Sequence, residues 1–257
     1  IKTITSLIEE FEKRNPAEFE SSVDEISQLL SRLQLPTVRE FMSRQYEKSD
    51  ETKTLNEQPW VLECLAHNAL REARSTRDIR ERGHQMVAYV TIARSMLRGA
   101  GFPYGDICAV VKQPGQFSWT FDKRLLDMPL REEMRRQYSV ILSDLKQKIG
   151  HLKPEDAWRL LSKELALDSK AIYYHHEKMW SDEPGLVDAH GRALFPRPPR
   201  PADFQKMNKQ QKAIIVRNER YYKMSPKVAK FFAGLLRRGG EPVSVGTHKV
   251  YRYVPER

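Results

Sequence analysis

The sequence predicts a mainly α-helical fold with a small strand element, an α+β chain. Two observations carry this. Apolar residues recur at steps of three and four through most of the 257 residues, the spacing that lines one face of a helix. Alternation of the strand kind is confined to two short places, Gln116 to Trp119 and Val243 to Val254. Hydrophobic residues make up 40% and charged residues 30%, a balance that forms a core and leaves a strongly solvated surface.

The elements follow in order. Residues 2–13 read as an amphipathic helix with Ile4, Leu7, Ile8 and Phe11 on one stripe. Asn15-Pro16 is a helix start, and a second helix runs to about Leu33. Pro36-Thr37 breaks it and opens a third, to about Tyr46. These three form an acidic helical segment over 1–52, with 7 Lys/Arg against 11 Asp/Glu, suited to packing or docking. Polar residues 49–54 mark a boundary. The next helix begins near Pro59 and places Val61, Leu65, Asn68 and Glu72 on one stripe. That stripe ends in a carboxylate at the edge of a core, where partial desolvation makes an acid useful. The competing reading is a solvated helix-end Glu beside Arg71 and Arg74.

Gly83 precedes a core helix carrying Met86, Val90, Ala93 and Leu97, ended by Gly99 and Gly101. A short helix spans about Tyr104 to Lys112. The string Val110-Val111-Lys112-Gln113-Pro114-Gly115-Gln116-Phe117-Ser118-Trp119 then reads as a Pro-Gly turn leading into extended chain. Gln116 and Ser118 would face one way, Phe117 and Trp119 the other. Residues from Asp122 to about Gly150 read as helix, interrupted near Met128-Pro129. Another helix runs from Lys153-Pro154 through Leu167. Ala171 to His176 is a short extended or irregular segment. Residues 181–201 hold five prolines and two glycines without a period, a linker with no core of its own. The basic extension over 202–257 has 13 Lys/Arg against 4 Asp/Glu. It reads as two helices, 202–217 and 225–238, and a hairpin around Gly246-Thr247.

The bulk numbers exclude some classes. No apolar run approaches the length that crosses a bilayer. The start shows no basic-then-apolar signal segment, and Ile1 in place of Met reads as a processing boundary. Cys64 and Cys108 are the only cysteines, too few for a zinc site or a disulfide framework, and both read as core thiols. His175 and His176 are adjacent, with no carboxylate or cysteine cluster to complete a metal site. No metal or cofactor is expected. The net charge of +10, concentrated in the C-terminal extension, points to an anionic partner.

Three segments together resemble a known family. Leu70-Arg71-Glu72-Ala73-Arg74, then a long helix ending before Phe102-Pro103, then Ile107-Cys108-Ala109-Val110-Val111-Lys112-Gln113-Pro114-Gly115-Gln116-Phe117-Ser118-Trp119 look like the SleB-type cell-wall hydrolases. These are the spore-cortex lysins and their relatives in bacteria and phages. Ala171 to His175 is similar to the family's later "ATHYH" box, with Ile172 and Tyr173 where the family has Thr and His. Ala93-Arg94 stands where the family has "NR". The resemblance covers roughly Trp60 to Trp180.

It implies a lysozyme-like catalytic domain over 53–180 that cuts the sugar backbone of peptidoglycan as a lytic transglycosylase or muramidase. Glu72 would be the single acid/base at the MurNAc-GlcNAc bond. Gln116, Phe117, Ser118, Tyr174 and His175 would bind substrate, with Phe117 supporting the cleft wall from the core side. A second carboxylate, as two-carboxylate glycosidases require, has no matched motif; Glu81, Asp106 and Asp122 are near only in sequence. Features outside the resemblance, the acidic helical segment, the basic extension and the lack of a signal segment, point to a phage virion or lysis enzyme acting at the host periplasm or cell wall, with 1–52 and 202–257 meeting other virion proteins. The alternative is a structural or genome-associated virion protein. Its lysozyme-like domain would be secondary or degenerate, and its basic tail would hold nucleic acid through phosphate contacts.

Overall fold

The computed structural model describes residues 36–73, 79–98, 101–114, 116–120, 131–176, 178–188, 190–238 and 242–252. The helices expected over 2–13 and from Pro16 to Leu33 lie outside them, as does the expected helix start at Asp122. Among the described residues the chain is mainly α, with one three-stranded antiparallel sheet.

Some helix starts fall where the sequence offers a capping side chain or a proline. Before α1 (Val38–Ser43), Glu40 N–H donates to Thr37 Oγ1 at 3.2 Å and Thr37 N–H donates to Glu40 Oε2 at 2.7 Å. This reciprocal box satisfies donors that a helix start leaves open. Helix α2 (Pro59–Glu72) starts on a proline, whose missing N–H is no loss in the first turn. Helix α3 (Gly83–Met96) is buried from Gly83 to Ser95, so it is the central helix. Around it pack α2, α4 (Ile107–Lys112), α6 (Pro154–Glu164) and strand β1 (Ala171–His176). Helix α5 (Glu132–Ile149) lies on α2 and buries Ile141, Leu145 and Ile149. Its charged remainder faces outward, the pattern of a helix with one core stripe.

Strands β2 (Val243–Val245) and β3 (His248–Arg252) form a hairpin whose turn residue Gly246 has φ +57°, a conformation costly for residues with a Cβ. Sheet order is β1-β3-β2, with Tyr174 opposite Val250 and His176 opposite His248. Alternation along β1 sends Ile172, Tyr174 and His176 toward the helices and His175 to the other face. On that other face lies a second core of Leu186, Phe195, Met224, Ala229, Phe232, Leu235 and Tyr251. It is contributed partly by helix α8 (Pro226–Arg237), which follows helix α7 (Lys209–Tyr222).

Two expectations need correction. The proline-rich stretch 181–201 is not coreless. Leu186 and Phe195 are buried in the second core, and backbone bonds close the stretch on itself, Leu194 N–H to Leu186 O at 2.9 Å and Ser181 N–H to Phe195 O at 3.1 Å. The hairpin expected in the basic extension is present and completes the sheet begun by β1. Finally, the cysteines are not free thiols: Cys64 on α2 and Cys108 on α4 form a disulfide with Cα atoms 5.6 Å apart. Two cysteines on different helices gave no spacing signal, and the packing of α2 on α4 brings them together. No helix among the described residues is long and apolar enough to cross a membrane.

Candidate functional site

The stripe Val61, Leu65 and Asn68 is fully buried, and its next member, Glu72, emerges partly exposed in the last turn of α2. A helix C-terminus, with its open carbonyls, is an unfavourable place for an anion. A donor meets it there: the Tyr174 hydroxyl donates to Glu72 Oε2 at 3.2 Å across 102 residues of sequence. Burial, and next the negative charge of Glu72, push the Tyr174 phenol well above its ordinary value. It therefore stays a donor throughout the physiological range.

Arg94, one of the two residues standing at the "NR" position, forms the floor. Its side chain is buried, and its Nε donates to Ile172 O at 3.0 Å. The guanidinium lies over three rings, 5.0 Å from the centroid of Phe102, 5.1 Å from Phe117 and 5.8 Å from Tyr174, close enough for cation–π attraction. Burial draws its pKa down, opposed by Tyr174, Tyr173 and Glu72. An arginine stays charged even so. A buried cation thus stands on the same tyrosine that holds Glu72, and among the described residues its Nη1 has no hydrogen-bond partner.

A polar chain fixes the geometry behind the carboxylate. Trp119 Nε1–H donates to Asn68 Oδ1 at 2.9 Å, Asn68 Nδ2–H to Thr91 Oγ1 at 3.0 Å, and the Thr91 hydroxyl to Val87 O at 2.7 Å. Asn68 lies one turn before Glu72, so α2 is held to α3 and to the segment carrying Trp119 at that level. The disulfide ties α2 to α4 one turn earlier still. Phe41 stacks on His67 at 4.1 Å and meets Trp119 edge-on at 5.7 Å, closing this side of the core.

The Gln113–Trp119 stretch is not extended. Gln116 N–H donates to Gln113 O at 3.3 Å, and Ser118–Thr120 is a turn of 3-10 helix. The alternating faces expected from strand geometry therefore do not form. Phe117 and Trp119 are both buried, Phe117 against Arg94 and Trp119 against Asn68. Gln116 is half-buried in the turn, and the side chain of Ser118 lies outside the described set.

Of the residues expected at the site, the structure brings Glu72 and Tyr174 into contact and joins Phe117 to them through Arg94. His175 does not join them. It points to the second core, where its Nδ1–H donates to His176 O at 2.8 Å and its Nε2 accepts from the Tyr251 hydroxyl at 2.7 Å. Phe232 lies edge-on at 4.7 Å. Burial lowers its pKa, as for an imidazole sealed away from water. The cause is strand alternation: a neighbour of Tyr174 must face the opposite way.

Asp106 is occupied as the cap of α4, accepting from Ala109 N–H at 3.0 Å, and Asp122 lies outside the described residues. Among the described residues no group of three His, Cys, Asp or Glu is placed to hold a metal ion. Arg94 and Asn68 were missed as site residues. A signal existed for Arg94, the one basic side chain between Gln85 and Met96 in an otherwise buried helix. No protein-family model, curated protein or solved structure matches this chain.

Proposed function

We propose that the chain is a peptidoglycan-cleaving enzyme of the SleB type with a lysozyme-like catalytic domain, a lytic transglycosylase or muramidase acting on the MurNAc-GlcNAc bond through Glu72. The observation that carries the reading is the Tyr174 hydroxyl on Glu72 Oε2. The EAR-like segment and the ATHYH-like box, far apart in sequence, meet at one carboxylate. The Gln113–Trp119 string stands behind it through Asn68 and Arg94.

In this reading Glu72 donates its proton to the glycosidic oxygen as the bond from that oxygen to the muramyl anomeric carbon breaks. The muramyl 6-hydroxyl then attacks the anomeric carbon, and its proton returns to Glu72. A 1,6-anhydro ring forms, no water is consumed, and the acid is regenerated. Tyr174 orients the carboxylate by its hydrogen bond. Arg94 supplies a fixed positive charge that stabilises the carboxylate left after proton donation. A single carboxylate suffices because the nucleophile belongs to the substrate.

The place of action would be a virion or the host periplasm, where murein is met. A buried disulfide suits an oxidising compartment of that kind. Segments 1–52 and 202–257 would contact other virion proteins. A second reading keeps the chain as a genome-associated virion protein. The exposed cations of α7, Lys209, Arg217 and Arg220, favour it. DNA binding that weakens steeply with salt, and is lost when these cations are replaced, would support that reading. The primary test is release of soluble fragments from purified murein sacculi by the wild-type chain and by Glu72→Gln. Release by the wild type alone is expected; no release by either, or equal release by both, would overturn the enzyme reading.

A further inference from the structure

We propose that the outward ridge of helix α8 is a docking surface for an anionic lipid bilayer, which the helix meets lying flat, with the Phe231 ring entering the headgroup region. This surface does not depend on the glycan-cleaving reading.

Helix α8 has two unlike sides. Ala229, Phe232, Ala233 and Leu235 are buried in the second core. Lys227, Phe231, Gly234 and the C-cap Arg238 follow at steps of four, three and four, which sets them in one ridge along the opposite side. Val228 stands beside the ridge, three residues before Phe231. These two apolar side chains are 38% and 39% exposed. A cation stands one turn before Phe231 and another two turns after it. From Pro226 to Arg238 the sequence has no carboxylate. Lys230 and Arg237 lie on the flank, where Lys230 pairs with Glu183 at 2.6 Å and Arg237 Nη2–H donates to Gly185 O at 3.3 Å. A Cβ added at Gly234 would meet only Arg238 Nη2, at 3.8 Å, so the ridge is open between the ring and the last cation.

A lone exposed phenyl ring is ordinary on a protein surface. This one is backed by other rings. It stands edge-on to Tyr173 with centroids 4.8 Å apart, and Tyr173 meets Phe102 at 6.3 Å. A ring already held in place loses little rotamer freedom when it is covered. The combination of exposed cations with an aromatic side chain between them matches a bilayer surface. Anionic headgroups take the charges, and the shallow apolar layer beneath them takes the ring. Duplex DNA would use the same cations and leave Phe231 in water. The excess of cations over 202–257, 13 against 4, draws the whole extension to the same surface.

The test is cosedimentation of the full chain with vesicles of phosphatidylglycerol and phosphatidylcholine, and with vesicles of phosphatidylcholine alone. Binding to the anionic vesicles that weakens with salt is expected, with little to the neutral ones. Lys227→Gln combined with Arg238→Gln should weaken it about thirtyfold, the scale of two cations near an anionic surface. Phe231→Ser should weaken it about tenfold. Phe231→Trp should keep it, and lipids brominated on their acyl chains should quench its fluorescence more than that of the wild type, a readout that a change in stability alone does not produce. Circular dichroism and melting check the fold of each variant. Absent binding to anionic vesicles, or equal binding to both kinds, would overturn the proposal. Binding that folded Phe231→Ser retains in full, with no added quenching in Phe231→Trp, marks a general anion surface of the kind that takes DNA and overturns the lipid assignment. Fragment release from purified sacculi, which hold no bilayer, tests the enzyme reading separately, so either can fail alone.

Discussion

Breaking the Cys64–Cys108 bond removes a covalent tie between the helix that ends in Glu72 and the helix that leads into the Pro-Gly turn. The two cysteines are 44 residues apart. Closing a loop of that length removes unfolded-chain entropy equivalent to about 4 kcal/mol at 25 °C. For a chain of this size that corresponds to a fall in melting temperature on the order of 10 °C. Both side chains are buried, at 0% and 2% exposure, so a reductant reaches the bond only when α2 and α4 part. The assay has two arms. Thiol titration in denaturant should find no free thiols before reduction and two after it. Urea unfolding of the oxidised protein and of Cys64→Ala/Cys108→Ala should then differ by about 4 kcal/mol, less whatever strain the bridge carries. Two reactive thiols in the unreduced denatured chain would refute the pairing. Equal stability of the two proteins would refute the argument that the bridge is a staple for the Glu72 helix.

Other consequences follow from single contacts. Asn68→Ala leaves the Trp119 Nε1–H buried without an acceptor and should cost about 1–3 kcal/mol in urea unfolding. Tyr174→Phe removes the donor to Glu72 without opening space. It should lower the rate of fragment release roughly ten- to a hundredfold while leaving the melting temperature nearly unchanged, as expected for a hydrogen bond to a charged group. Arg94→Met keeps the buried volume and loses the charge over Phe102, Phe117 and Tyr174; slower release with retained fold is expected, and Arg94→Lys should recover part of it. His67 titrates far below its usual range, at about 3, first because it is buried, then because of Arg71, with Arg44 adding to this and Pro36 O opposing it. The unfolded chain takes up this proton near pH 6.5 and the native chain only near 3. Stability is therefore full above pH 6.5 and falls as pH drops toward 3, by up to roughly 5 kcal/mol from this group. His67→Gln should flatten that part of the curve measured by urea unfolding against pH.

Local signals were readable in the sequence, and long-range pairings were not. The start of α2 at Pro59 and the stripe ending at Glu72 follow from proline placement and helical spacing. The hairpin at Gly246 follows from turn chemistry. That this hairpin pairs with β1, which begins at Ala171, 72 residues before the hairpin begins at Val243, has no local trace. Arg94 shows the same limit, because its acceptor, Ile172 O, is 78 residues away. Composition misled over 181–201: prolines signalled a linker, yet Leu186 and Phe195 are bulky enough to anchor it in a core built by α8. The Gln116–Trp119 alternation misled as well, because a short alternating run after Pro-Gly fits a tight 3-10 turn as well as a strand. The Trp119 bond to Asn68 is compatible with the turn. His175 matched a motif by position, while its side chain was assigned by the pleat.

The central claim is that Glu72 cuts the glycan strand with no second carboxylate. Mass analysis of the fragments released from murein sacculi by the wild-type chain and by Glu72→Gln tests it most directly. Anhydro-muropeptides, one water lighter than the hydrolysis products, are predicted from the wild type and none from Glu72→Gln. Wild-type digests without glycan fragments, or the same fragments from Glu72→Gln, would contradict it.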